Sequence, residues 1–225
     1  MVVTAWAETV DNKDTKEMVR EWFFKGQAAF SFGNYDEAIK CYKKTLELDP
    51  NFTDVHRFIG DVYLKKGMLD EAMDEYKKAI AIKPNTLPAH VGLGEIYFEK
   101  GNLDEAISEY KKAIAIYPKS ASAHCGLGDV YLKREKINEA ISEYEKAIAI
   151  NHDHASGHFN LGCIYHKQGL TSAANHLYRA GLLYFKQGDR EAALKVYEYF
   201  KLTNSKELER ILFEKLYPEL KKGEN

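Results

Sequence analysis

Apolar and polar residues alternate along most of this chain with the period of an α-helix, and the alternation itself recurs. In "PAHVGLGEIY" (88–97), His90, Leu93, Gly94 and Tyr97 fall at i, i+3, i+4 and i+7, a single stripe on one helix. "DEAISEYKKAIAIYPK" (104–119) then places Ala106, Tyr110 and Ala113 at i, i+4 and i+7 of a second helix. Gly101 supplies the turn between them and Pro118 stops the second. The pattern predicts a helical hairpin in which alanine and glycine allow close approach and tyrosine fills the remaining space.

The hairpin is repeated. "DEAMDEYKKAIAIKPN" (70–85) and "NEAISEYEKAIAINHD" (138–153) match the second helix, and successive starts at 70, 104 and 138 differ by 34 residues. The same step joins Gly60, Gly94, Gly128 and Gly162, Tyr63, Tyr97, Tyr131 and Tyr165, Ala38, Ala72, Ala106 and Ala140, and Pro50, Pro84 and Pro118. Position by position this resembles the tetratricopeptide repeat (TPR) family over residues 14–202. The resemblance implies an all-α fold, an α-solenoid in which helix-turn-helix repeats wind into a right-handed superhelix, and a protein-binding rather than catalytic role. The units run 19–52, 53–86, 87–120, 121–154 and 155–188, with an irregular overlapping unit to 202.

Several local features refine this layout. Residues 1–13 are expected as a flexible tail, with Asp14 and Glu17 as a capping box opening the first helix. Asp36, Asp70, Asp104 and Asn138 are expected to cap second helices and complement their dipoles. In the fourth unit Glu135 replaces the turn glycine and His152 the terminal proline, which predicts looser turns. After Gly162 the register slips, the next matching glycine being Gly181, so one helix with Ala174 and Tyr178 on its stripe is expected to serve two units. Residues 203–218 read as a C-terminal capping helix, with Asn204 and Glu207 as its capping pair and Leu208, Ile211, Leu212 and Leu216 as its apolar stripe, and 219–225 as a tail. About twelve helices are expected in all.

Composition narrows the class. With 225 residues, 45% of them hydrophobic, the chain can bury a sizeable core. Its 32 Lys and Arg nearly balance 34 Asp and Glu, so no overall field draws it to nucleic acid or an anionic membrane. No apolar run approaches the roughly 20 residues of a membrane span. Three cysteines, Cys41, Cys125 and Cys163, fit no disulfide framework and favour a cytoplasmic setting. "TAWAE" has a small-residue pattern like a secretory cleavage site, and a periplasmic or secreted location follows if a signal segment precedes the given start.

Candidate chemistry is sparse. His56, His90, His124 and His158 recur at the 34-residue step. Equivalent side chains in stacked repeats lie about 8–10 Å apart, too far to share an ion bound at about 2 Å, so the ladder is read as packing histidines with local acceptors. "NHDHASGH" (151–158) and the Cys163/His166 pair, with Cys125 in reach, are read as a polar junction and as groove residues, with a metal or redox role as the alternative. The Gly-x-Gly of "VGLGE" and "CGLGD" lies inside helices and lacks the third glycine of a dinucleotide loop. No nucleophile and base pairing is discernible, so no enzyme, cofactor or metal is expected.

A binding face is expected instead. The TPR resemblance implies a concave groove lined by the side of the first helices away from the tyrosine and leucine stripe. Carried onto this sequence it comprises Phe23, Gln27, Phe30, Arg57, Asp61, Lys65, Val91, Glu95, Phe98, Glu99, Cys125, Asp129, Lys133, Phe159, Cys163 and His166. Asp61 is flanked by Arg57 and Lys65, and Asp129 by Lys133, whereas Glu95 is reinforced by Glu99. A protein or peptide with basic and apolar residues is the expected partner, and self-association through the apolar "MVVTAWA" the alternative. The places where related clamps grip a C-terminal carboxylate hold Phe23, Gln27, Phe58, Pro88 and Gly92, which argues against such a clamp. Lys43/Lys44, Lys77/Lys78 and Lys111/Lys112 read as a mixed-charge outer face in which Asp74 supports Lys78 and Glu109 supports Lys112.

Overall fold

The computed structural model describes residues 2–52 and 54–202. They form eleven helices and, among the described residues, no strand: α1 (Val2–Ser31), α2 (Tyr35–Leu48), α3 (Asp54–Lys65), α4 (Leu69–Ile82), α5 (Leu87–Glu99), α6 (Leu103–Ile116), α7 (Ala121–Lys133), α8 (Ile137–Ile150), α9 (Ala155–Lys167), α10 (Ala173–Lys186) and α11 (Arg190–Leu202). The expected capping helix over 203–218 and the tail beyond it lie outside the described residues. Two compact units are present, one up to Ile116 with α1 to α6 and one from Tyr117 on with α7 to α11.

Within each unit the helices pair as the repeat predicts: α1 with α2, α3 with α4 and α5 with α6, then α7 with α8 and α9 with α10. The pairing is fixed by a notch. A Cβ added at Gly60, Gly94 or Gly128 would come within 2.7–2.8 Å of the ring of Tyr76, Tyr110 or Tyr144, and one at Gly26 within 2.5 Å of Tyr42. Only glycine lets the buried tyrosine of the second helix lie across the first. Tyr42, Tyr76 and Tyr144 are accordingly among the largest fully buried side chains.

The turns hold a single geometry even where the sequence changes. Gly33, Gly67, Gly101 and Gly169 have φ between 71° and 79°, and Glu135 joins them at 59°. The fourth turn is therefore not looser: its backbone keeps the left-handed bend despite the side chain. The aspartates, by contrast, do not cap. The N-cap positions of α2, α4 and α8 are Asn34, Met68 and Lys136, none making a side-chain cap bond, while Asp36 and Asp70 lie inside the first turn. There they face the dipole and reach across to the following repeat, Asp36 accepting from Lys66 at 2.5 Å and Asp70 from Lys100.

Two further expectations are corrected. α1 starts at Val2, so the helix runs through the segment expected as a tail, and Asp14 and Glu17 lie within it rather than at a cap. Residues 2–13 contain neither glycine nor proline, so nothing in them interrupts helix propagation. In α10 the buried stripe is Ala173, Leu177 and Ala180, one residue ahead of the expected Ala174 and Tyr178. Leu177 takes the tyrosine's place, and a Cβ on Gly162 would meet its Cγ at 2.6 Å. α10 does serve two partners, packing on α9 and on α11, with Leu177, Ala180, Ala193, Val196 and Tyr197 forming their shared core.

Candidate functional site

The acidic row on the first helices has an internal purpose before any external one. Tyr76 donates its hydroxyl to Asp61 Oδ1 at 2.8 Å, and Tyr144 to Asp129 Oδ1 at 2.6 Å. Each carboxylate thus satisfies the polar end of a tyrosine whose ring is buried beneath it. Asp129 also accepts from Asn160 Nδ2 at 2.7 Å. Burial pushes its carboxyl up to about 6 despite those two hydrogen bonds. Asp61 is likewise raised by burial, with Tyr76 and Arg57 opposing.

Around these anchors the expected groove residues separate into different environments. In the first unit Phe23 is half-buried in an aromatic cluster, with Phe58 at 5.0 Å, Phe52 at 5.1 Å and Tyr42 at 6.0 Å between ring centroids. Gln27 and Phe30 are half-buried, Phe30 beside Tyr35. Arg57 is bonded to Asp61 at 2.6 Å and lies over the Phe58 ring at 3.5 Å, so that pair is internally neutralised as the spacing predicts. Lys65 is exposed. On α5, Glu95 and Glu99 are exposed one turn apart, with half-buried Val91 and Phe98 on the same helix.

In the second unit Cys125 is buried at 5% exposure, beside Asp129 and Ser156 rather than lining an open surface, and Lys133 is exposed. Phe159, Cys163 and His166 converge on Tyr199 of α11: its ring stands edge-on to Phe159 at 6.1 Å and to His166 at 5.8 Å, and its hydroxyl pairs with the Cys163 thiol. Tyr199 carries no repeat signature, which is why periodicity does not reveal it. Burial raises both thiols, Cys163 to about 11, so they stay protonated near neutrality.

The histidine ladder is an internal hydrogen-bond series. His56, His90 and His124 present Nδ1 to Glu75, Glu109 and Glu143 at 2.6–2.7 Å, and each glutamate accepts from Lys78, Lys112 or Lys146 at 2.7 Å. Lys78 is therefore bonded by Glu75, with the charge of Asp74 as a smaller support. The Nε2 atoms of His90, His124 and His158 donate to the carbonyls of Pro84, Pro118 and His152 at 2.9–3.1 Å. His152 thus does with its backbone what the prolines do. The glutamates recur at the same 34-residue step as the histidines, a legible signal that pattern reading centred on the histidines passes over. The "NHDHASGH" junction resolves similarly: Asp153 pairs with Arg179 at 3.4 Å and His154 Nδ1 caps α9 by accepting from Gly157 N at 3.2 Å. Among the described residues no three His, Cys, Asp or Glu side chains gather as a metal site.

Family models described as "TPR repeat" match residues 26–67, 60–101, 94–134 and 128–169, and one described as "Tetratricopeptide repeat" matches 177–202. The chain belongs to the tetratricopeptide repeat family. TPR proteins mediate protein–protein interaction, and the fold is typically a non-catalytic scaffold. The TPR repeat-containing protein MJ0941 of Methanocaldococcus jannaschii is 46% identical over 37 residues, 16% of this chain and only 11% of that protein. Among solved structures, a MamA protein is 28% identical with a TM-score of 0.59, covering 77% of this chain and 95% of MamA. Pseudomonas aeruginosa pilF (22% identical, TM-score 0.64, covering 89% and 98%) and TTC0263 of Thermus thermophilus (23%, 0.63, 82% and 98%) share the fold.

Seen as TPR units, the places of a carboxylate clamp are filled by packing groups. Phe23 and Phe58 touch each other edge to face, and a Cβ on Gly92 would lie 2.5 Å from the Tyr76 ring. No helix among the described residues is long and apolar enough to cross a membrane.

Proposed function

We propose that this TPR protein is a non-catalytic adaptor that holds a peptide or partner protein against the face of its first helices, with α5 as the point of charge recognition. One observation carries the reading: Glu95 and Glu99 are exposed one turn apart beside half-buried Val91 and Phe98. The ligand that fits α5 supplies Lys or Arg beside an apolar side chain, the charges steering and the apolar contact anchoring. Free, protonated thiols accord with a reducing cytoplasm.

The test is a titration with partners recovered by affinity capture and then purified. Glu95→Lys with Glu99→Lys should weaken binding on the order of tenfold or more and flatten its salt dependence, since each lost close charge contact is worth about 1 kcal/mol or more. Equal affinity of the double variant and the parent, at low and high salt, sinks the assignment. Self-association is a second reading, favoured by Met18, Phe24 and Phe32 on α1 and its turn, exposed to 44%, 61% and 83%. Light scattering of the parent and of a Phe24→Glu, Phe32→Glu variant separates it, a fall in mass in the variant supporting self-association and equal monomer masses sinking it.

A further inference from the structure

The ladder of histidine, glutamate and lysine breaks in one place. Where His56, His90 and His124 meet a carboxylate, His158 Nδ1 meets His176 Nδ1 at 3.0 Å. Arg179 stands three residues beyond His176, as Lys78, Lys112 and Lys146 stand three beyond their glutamates. The same positions therefore recur on α9 and α10 with an imidazole in place of the carboxylate, and the third member, Arg179, turns to Asp153 at 3.4 Å. The substitution changes what the contact tolerates. A carboxylate accepts from histidine in either charge state of the ring, whereas an imidazole nitrogen accepts only while it carries no proton. His158 Nε2 already donates to the His152 carbonyl, so in the neutral ring Nδ1 is the acceptor and His176 Nδ1–H the donor.

We propose that the His158–His176 contact is an acid-sensitive latch on the last described helical hairpins, holding α10 on α9 near neutrality and releasing it when both rings are protonated. Two Nδ1–H groups then point at each other across a distance that only a donor and an acceptor can share. Release of α10 takes its partner α11 along, and withdraws Tyr199 from Phe159, Cys163 and His166. Acid thus uncovers an aromatic face that the neutral protein keeps for itself.

The groups around the latch bear on its sign. Burial holds both imidazoles below the ordinary histidine value, with the charge of His158 adding to the effect on His176. At His158 the bond to the His152 carbonyl and the charge of Asp153 in the preceding turn favour protonation, against Arg179 and the His152 ring; at His176, Glu145 on α8, bonded by Tyr165 of α9, favours it and Arg179 opposes. The balance at both rings is depression, so these two sites bind fewer protons in the folded than in the unfolded chain and their contribution to stability falls as pH drops below about 6.5. His154 is also depressed by burial and by His158, and protonation removes its cap on α9. Asp129 acts oppositely: raised to about 6, it strengthens the fold as pH falls through that value towards 3.8.

Hydrogen exchange on the full chain, compared at pH 7.5 and 5.5 after correction for intrinsic rates, tests the latch. An Asp129→Asn background removes the opposing titration, and His154→Ser keeps a cap that does not titrate. Protection of α10 should fall by on the order of tenfold per pH unit for each proton taken up, while α8, held through Glu143 and His124, changes little. His176→Glu rebuilds the triad with Arg179 in place and should abolish the α10 loss; His176→Gln, which accepts without titrating, should do the same if the glutamate variant misfolds. Equal acid loss in α8 and α10, or a loss in α10 that survives in both variants, overturns the proposal.

Discussion

The first and fourth repeats bury the same residue in the same notch and finish it in opposite ways. In the fourth, Tyr144 lies across Gly128, its hydroxyl held by Asp129, which Asn160 also supports. In the first, Tyr42 lies across Gly26, but Gln27 stands where the second, third and fourth repeats place a carboxylate, and the buried hydroxyl has no partner among the described residues. Phe58 stacks on the Tyr42 ring at 5.7 Å and 28°, and Phe23 approaches at 6.0 Å. The fold needs the ring and the notch; the polar end is locally negotiable. The turns show the converse, the first using Gly33 and the fourth forcing Glu135 into the same bend.

The largest break in this comparison is expected from the carboxylate. Asp129→Ala strands both the Tyr144 hydroxyl and the Asn160 amide and should cost about 1–3 kcal/mol in urea unfolding, whereas Gln27→Ala should stay within about 0.5 kcal/mol. Equal losses would show that the two repeats are held alike. Removing the hydroxyls sharpens the point: Tyr144→Phe should cost about 1 kcal/mol, while Tyr42→Phe should be neutral or stabilising, because it deletes a buried group that bonds to nothing. Smallest of the three is the turn. Glu135→Gly should raise stability by up to about 1 kcal/mol, the relief of a left-handed non-glycine residue less the entropy glycine loses on folding, and an unchanged melting curve would mean that the bend carries no strain.

The repeat length, the paired helices, the glycine and tyrosine notch and the shared role of α10 were all legible, because each follows from residues recurring at a fixed step. So was the internal neutralisation of Asp61 by Arg57, a spacing rule within one helix. What escaped were contacts between elements without a shared period. Leu177, not Tyr178, fills the notch at Gly162, 15 positions on where the tyrosines stand 16 from their glycines, and Tyr199 reaches Phe159, Cys163 and His166 from a helix outside the 34-residue step. The aspartates misled because capping and dipole pairing favour the same residue type at adjacent positions, and the structure uses Asp36 and Asp70 within the first turn of the helix. The capping box failed for a related reason: a good cap sequence does not start a helix when the residues before it are themselves helix-competent.

The bridges from Asp36 to Lys66 and from Asp70 to Lys100 both span 30 positions, and the tyrosine and histidine partners also sit at constant offsets. Such a chain is written in interchangeable modules: excising or duplicating the whole period 62–95 rejoins every donor of these pairs to an equivalent acceptor. Growth or shortening of the gene by that quantum leaves no orphaned group behind, whereas any other length mismatches all of these pairs together. The arithmetic of its bonds therefore gives this architecture a natural unit of evolutionary change.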